Sequence, residues 1–210
     1  MLGIARLGEI STTWYQQRIQ NYAPGLDYQM VDYDFSTLNA FLPDNYPALE
    51  PLLLKLLATA KQQGVSKLLL PNITLHHCFY LHPDWRCNVS LFDPFDMLNS
   101  ALHGRQVYVL GTRHTQESPV LRERLHQQGI VLRSVDAATC ASIDALRLDI
   151  FHNGFSVAAA KALSVVVAKL SEEAVVIIAC SELSVALQQS GKNVLDLAML
   201  QIKAFTAQGT

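Results

Sequence analysis

The chain has 210 residues, enough for one large or two small domains, and its 50% hydrophobic and 16% charged content excludes a disordered polypeptide. A formal net charge of −2, with 16 Lys and Arg scattered singly, lacks the basic footprint that nucleic acid or an anionic membrane surface requires, so neither partner is expected. No apolar run approaches the roughly 18 residues of a membrane-spanning helix.

The amino-terminal segment MLGIARLGEI has neither the basic lead nor the apolar region of a secretion signal. The four cysteines, at 78, 87, 140 and 180, are too sparse for a disulfide framework. They read as reduced thiols in a cytoplasmic protein.

In chain order, a first apolar run gives way to Gly8-Glu9-Ile10-Ser11-Thr12. A helical pattern over 52–63 then stops at Gly64, where a glycine in the left-handed conformation is expected to close the helix. The next apolar run, 67–70, lacks alternation and reads as a strand buried on both faces, the mark of a parallel sheet. It leads into Asn72-Ile73-Thr74. A linker-like stretch, Phe92-Asp93-Pro94-Phe95, precedes a second buried strand at 107–110, followed by Gly111-Thr112-Arg113-His114-Thr115. Helix is expected over 118–128, closed by Gly129 ahead of the β-rich IVLRSV, and again over 156–171. A third buried strand at 175–178 runs into Cys180-Ser181-Glu182. A second linker-like stretch, 188–192 (QQSGK), precedes a terminal helix starting at Val194.

Strands alternating with helices define an α/β protein built on mainly parallel sheet. An internal echo accompanies that order. LLLPNITL and VIIACSEL are both strand-turn segments preceded by an amphipathic helix, which makes residues 72 and 180 counterparts.

In open α/β sheets ligands bind at the carboxyl ends of strands, so the polar residues after the apolar runs are the candidates for chemistry. Cys180 stands at a strand end where a helix is expected to begin. There it reads either as a buried packing residue or as a thiol whose ionised form the helix amino terminus favours. Ser11, Thr12, Thr112 and Thr115 are either neutral donors to a carboxylate or helix caps. His76, His77, Cys78, His82 and Cys87 cluster locally, but their spacing fits no zinc pattern, and His76 and His77 point apart if the segment is extended, so no metal is expected. One of these histidines, His76 among them, could supply a proton. Glycine-rich nucleotide loops and the GxSxG serine elbow are not found in the sequence.

Taken together, the four segments resemble the cofactor-independent aspartate/glutamate racemase superfamily. That family carries a glycine-rich amino-terminal loop, then Pro-Cys-Asn-Thr-x-His, Leu-x-Thr-x-x-Thr and Gly-Cys-Thr-Glu-Leu. Here the segments stand as Gly8-Glu9-Ile10-Ser11-Thr12, Pro71-Asn72-Ile73-Thr74-Leu75-His76, Leu110-Gly111-Thr112-Arg113-His114-Thr115 and Ala179-Cys180-Ser181-Glu182-Leu183. The resemblance implies two similar α/β lobes, each a mainly parallel sheet flanked by helices. The first would hold 1–95 plus 195–210 and the second 96–194, with the active site in the cleft between them.

It also implies a homodimer that needs neither pyridoxal phosphate nor metal and moves the α-proton of a small carboxylate or amino acid. Inversion calls for acid and base on opposite faces of the α-carbon, while hydroxyl and amide donors hold the carboxylate as it gains enediolate character. Cys180 matches one family thiol. Asn72 stands where the other belongs and can neither take nor give a proton, so a single thiol is expected to act, with His76 as a further proton source. Thr74, Ser181, Thr112 and Thr115 fall to the substrate carboxylate, with Ser11 and Thr12 lining the cleft and Glu182 among the substrate-binding residues. One-thiol members of the superfamily make a decarboxylase or isomerase the alternative, and a binding protein that has lost the chemistry the other. Family members that act on aspartate carry an arginine after the second strand. Val31-Asp32-Tyr33-Asp34-Phe35 has none, which leaves Arg6 or Arg113 to replace it. Gln201 stands near the place of a family histidine that follows an Asp, here Asp196.

Overall fold

The computed structural model describes residues 1–98, 102–187 and 191–208, with the side chains of 86–88 excepted. Residues 188–190 of the expected second linker, and the thiol of Cys87, lie outside the described residues. The chain forms two compact units, Met1–Asp93 with Gln201–Thr210, and Pro94–Leu200. The first boundary falls inside Phe92-Asp93-Pro94-Phe95, between Asp93 and Pro94.

The first unit runs β1 (Leu2–Ala5), α1 (Glu9–Tyr22), β2 (Gln29–Val31), α2 (Phe35–Asn39), α3 (Tyr46–Gln62), β3 (Lys67–Leu69), α4 (His76–Leu81), a 3-10 segment (Pro83–Asn88) and β4 (Ser90–Leu91). Its four strands are all parallel, in the order β2-β1-β3-β4. Helix α3 begins six residues before the expected start. Pro51 looks like a stop, yet a proline in the second turn forfeits only one helical hydrogen bond, and the burial of Leu49, Leu53, Leu56, Leu57 and Ala60 along one face outweighs it. Gly64 ends this helix with φ +77°, a conformation costly for any residue with a Cβ. The core gathers Leu53, Leu56, Leu68, Leu70, Phe79 and Trp85.

The second unit runs β5 (Gln106–Leu110), α5 (Arg113–Glu117), α6 (Pro119–Gln127), β6 (Val131–Arg133), α7 (Ala137–Asn153), α8 (Val157–Ser171), β7 (Val175–Ile178), α9 (Ser181–Ala186), β8 (Val194–Asp196) and α10 (Leu197–Thr206). Again all strands are parallel, in the order β6-β5-β7-β8. The two orders are the same permutation. LLLPNITL and VIIACSEL therefore occupy the third strand and following turn of their respective sheets, and Asn72 and Cys180 are topological equivalents.

Hydroxyl and carboxylate caps start α6, α7 and α8: Leu121 N–H donates to Ser118 Oγ, Thr139 N–H to Asp136 Oδ1 and Ala159 N–H to Ser156 Oγ. Two expectations change. The terminal helix does not begin at Val194, because Val194–Asp196 pairs with β7 in the register Val176↔Val194, and α10 starts only at Leu197. The chain therefore returns to the first unit at Gln201, later than the expected 195. Helix α7 was not expected at all, because its run of alanines and alternating polar residues has almost no amphipathic pattern to read. No described helix is long and apolar enough to cross a membrane.

Candidate active site

In the first unit, the loop after β1 turns at Gly8, whose φ of +82° only glycine adopts readily, and delivers the first turn of α1. Ser11 and Thr12 are both buried there. Leu7 N–H donates to Thr12 Oγ1 at 3.2 Å, so this hydroxyl ties the loop to the helix. After β3, Asn72 Oδ1 accepts the N–H of Leu75 at 3.1 Å and rigidifies the turn that carries Thr74. Thr74 is buried, and Asn72 is half-buried.

His76 and His77 lie on α4 rather than on an extended segment, so the expected divergence of their side chains is replaced by helical geometry. His76 is fully buried, with Nε2 3.3 Å from Gln201 Nε2 and its ring edge-on to Phe79. Gln201 is buried as well. It donates to the carbonyl of Phe92 at 2.7 Å and accepts from the Tyr15 hydroxyl at 2.7 Å. This interior network was invisible to spacing arguments because its members lie 125 and 186 residues apart in sequence. Asp93, just past β4, accepts from the Tyr80 hydroxyl at 2.7 Å. Cys78 sits in the core, where burial pushes its thiol up to about 12. Among the described residues, no group of three or more His, Cys, Asp or Glu side chains could hold a metal ion.

The two cations considered as replacements for the family arginine are already engaged. Arg6 Nε pairs with Asp32 at 2.6 Å, and Arg113 Nε lies 3.4 Å from Glu117. Asp34 caps α2 by accepting from Ser36 N–H.

In the second unit, Thr112 caps α5 and accepts the N–H of Thr115 at 3.1 Å. The two hydroxyl oxygens are 2.9 Å apart. A hydroxyl pair has two protons and uses one in its mutual bond, so the second remains for an acceptor outside the pair. Capping and carboxylate binding, alternatives in the sequence, are thus compatible in one pair. Gly111 lets this loop close on β7: a Cβ there would sit 2.8 Å from the Ala179 carbonyl oxygen and 3.3 Å from Thr115 Cβ. Gly111→Ala is expected to lower stability by about 1–3 kcal/mol through overpacking beside Cys180, read as a lower melting temperature in calorimetry. A wild-type melting temperature would refute that close packing.

Cys180 precedes α9 with an extended backbone, which places its side chain at the carboxyl end of β7. It is 5% exposed. Its Sγ–H donates to Glu182 Oε2 at 3.0 Å, and Ser181 Oγ donates to the same oxygen at 3.2 Å. Burial first, then the charge and hydrogen bond of Glu182, drive the Cys180 thiol well above its ordinary range, against the opposing pull of the Leu183 amide and Arg147. The expectation that a helix amino terminus favours the thiolate is therefore corrected. A helix of six residues supplies a weak field, and desolvation beside a carboxylate outweighs it.

Ser184 was missed in the sequence. Its hydroxyl donates to Asp196 Oδ1 at 2.8 Å and lies 3.2 Å from the Cys180 carbonyl oxygen, tying the thiol's turn to the end of β8. The helix expected after Cys180 puts Ser184 one turn on, but the bond to Asp196, 12 residues further along, is made only by the fold.

The family model for Asp/Glu/hydantoin racemases matches residues 43–204. No curated protein sequence matches the chain. Among solved structures, the chain is similar to an aspartate racemase homologue from Pyrococcus horikoshii OT3, with 17% identity, a TM-score of 0.75 and coverage of 99% of this chain and 98% of that one. It is also similar to the Picrophilus torridus aspartate racemase, with 15% identity, a TM-score of 0.72 and coverage of 100% and 93%. A third similarity is to glutamate racemase isoform RacE1 from Bacillus anthracis, with 13% identity, a TM-score of 0.65 and coverage of 99% and 80%. At these identities the structural likeness establishes the fold, two parallel α/β units of the racemase type.

Proposed function

The chain belongs to the Asp/Glu/hydantoin racemase family, and from that premise we propose that it moves the α-proton of a small carboxylate or amino-acid substrate through one thiol, Cys180, without pyridoxal phosphate or a metal. The observation that carries this reading is the placement of Cys180 at the carboxyl end of β7, with Sγ 3.0 Å from a carboxylate and the Ser181 hydroxyl beside it. Removing or returning a proton at an α-carbon places negative charge on the substrate carboxylate as an enediolate, which hydrogen-bond donors stabilise. In the second unit, which holds Cys180, that task falls to the Thr112–Thr115 pair and Ser181. Glu182 is an anion facing the thiol, so we assign it to the sulfur rather than to a carboxylate ligand. His76 is enclosed by Gln201 and Phe79, and we assign it to holding α4 in place. Asn72 stands where the family pattern has a second thiol, so exchange is expected to proceed without racemisation. The same reading has the protein act as a homodimer in the cytoplasm.

Proton NMR in deuterium oxide tests it. L- and D-aspartate, L- and D-glutamate and a 5-substituted hydantoin are incubated with the protein, and loss of the α-proton signal and chirality are followed. Exchange on at least one of them, with configuration retained, is the expected result. No exchange on any of them overturns the reading.

A second reading is favoured by the protonated state of Cys180, since a thiol held neutral is ready to give a proton. One-thiol decarboxylation of a 2-substituted malonate needs a proton only after carbon dioxide has left. Carbon dioxide release from such a malonate, without exchange on the amino acids, selects this reading. Binding of these acids with neither reaction identifies a family member without the chemistry.

A further inference from the structure

Helix α8 presents its outer side to water without the polar residues that a solvated helix face carries. Of its eight exposed residues, five are valine or alanine, and only Lys161 and Lys169 are charged. Val157 is 73% exposed and Val165 64%. The inner side of the same helix, with Leu163 and Val167, belongs to the core that includes Cys180, so the helix is apolar all round. A helix of that kind is one with both sides covered. The patch continues onto α7, which packs on α8: Phe155, in the connection between them, and Leu148, on α7, are large apolar side chains that are also exposed. Nine residues of α7 and eight of α8 are exposed, close to the roughly 20 that a standard interface takes from each partner.

Charge indicates what covers this face. The exposed side of α7 carries one acid, Asp149, which accepts from Asn153 Nδ2 at 2.8 Å. Asp149 lies four residues before the end of α7 at Asn153, and Lys161 lies four residues after the start of α8 at Val157. Each is thus about 6 Å along its helix from the connection. Among the described residues, Lys161 makes no ion pair within its own chain. In a two-fold interface residue i of one copy meets residue j of the other and the reverse, so the patch must complement itself. An acid on α7 and a lysine at the matching level of α8 satisfy that condition, because α7 of one copy laid on α8 of the other brings Asp149 to Lys161 twice. An anionic membrane would instead call for a face rich in lysine and arginine.

We propose that the outer faces of α7 and α8 form the surface on which two copies of this chain associate, with Val157, Val165, Phe155 and Leu148 at its centre and two Asp149–Lys161 pairs at its rim. The surface deepens the homodimer part of the proposed function, rests on that part alone and is independent of the proposed reaction. Alanine at the remaining exposed positions of α8, 158, 162 and 168, lets a facing helix approach to about 8 Å.

Sedimentation velocity on the full chain, over a dilution series, measures the association. The wild type is expected to sediment as a dimer. Val165→Glu changes a side chain that the fold of one copy leaves in water, and it buries two unpaired carboxylates in the dimer. It is expected to raise the dissociation constant at least about 100-fold. Asp149→Lys and Lys161→Glu each set like charges against one another at two places, and each alone is expected to weaken association about tenfold or more. Mixed in equal amounts, these two variants are expected to dimerise again. The introduced lysine of one then meets the introduced glutamate of the other, and native Lys161 meets native Asp149.

A wild type that stays monomeric throughout the series overturns the proposal and leaves α8 to a membrane or to another protein. A dimer that Val165→Glu leaves intact also overturns it, while the homodimer reading stands on some other face. Absence of recovery in the mixture, with both variants folded by circular dichroism, overturns it as well. If Val165→Glu fails to fold, the mixture decides between the same outcomes. Failure of α-proton exchange on every acid removes the proposed reaction and leaves this surface untouched.

Discussion

Cys180→Ala is expected to reduce α-proton exchange by about 10²–10⁴-fold, the range typical of losing a positioned acid–base group. In the proposed reaction the thiol at the end of β7 takes or gives the substrate proton, and alanine there removes it. The fold should survive, because the lost sulfur is small and the turn remains held by Ser184 and Asp196. Cys180→Ser provides the matched control. It keeps a donor to Glu182 at nearly the same size, yet a hydroxyl is too weak an acid to serve, so exchange should be lost to a similar extent. Both variants are read by proton NMR in deuterium oxide alongside circular dichroism. Exchange within tenfold of wild type in either variant, with the fold intact, would remove Cys180 from the chemistry.

Phe79→Ala is expected to destabilise the first unit by about 3–5 kcal/mol, the usual loss for emptying a buried aromatic site. Phe79 is fully buried, meets Trp85 edge-on at 6.3 Å and His76 at 6.5 Å between ring centroids, and belongs to the same core as Leu53, Leu56 and Leu68. Helix α4 has six residues, too short to persist without tertiary packing, and Phe79 is the largest of the side chains that seat it on that core, with Cys78 beside it in the chain. Because domains are stable by only about 5–15 kcal/mol, urea denaturation should show a large drop in midpoint. A loss under 1 kcal/mol or so would mean that the core around Trp85 collapses into the vacated space instead of leaving a cavity.

The buried parallel strands were legible because residues shielded on both faces form uninterrupted apolar runs such as Val175–Ile178, which no exposed element tolerates. Gly64 and Gly129 marked helix ends for a comparably local reason: both adopt positive φ, at +77° and +72°, and few other residues do so cheaply. Short elements were not legible. Val194–Asp196 has three residues, and only its pairing with β7 makes it a strand rather than the first turn of a helix. Helix α7 escaped notice because alanine-rich segments carry little periodic contrast.

The candidate site divides along the same line. Sequence by itself determined the α/β class, the positions of the polar turns after the strands, the family resemblance and the prominence of Cys180, since each depends on residue type and short spacing. Only the tertiary structure decided what state those residues are in. It paired Cys180 with Glu182 and made the thiol harder to ionise, enclosed His76 beside Gln201, and joined Thr112 to Thr115. Ionisation and hydrogen bonding depend on burial and on partners brought close by the fold, some of them more than a hundred residues away in the chain, and a one-dimensional pattern contains neither.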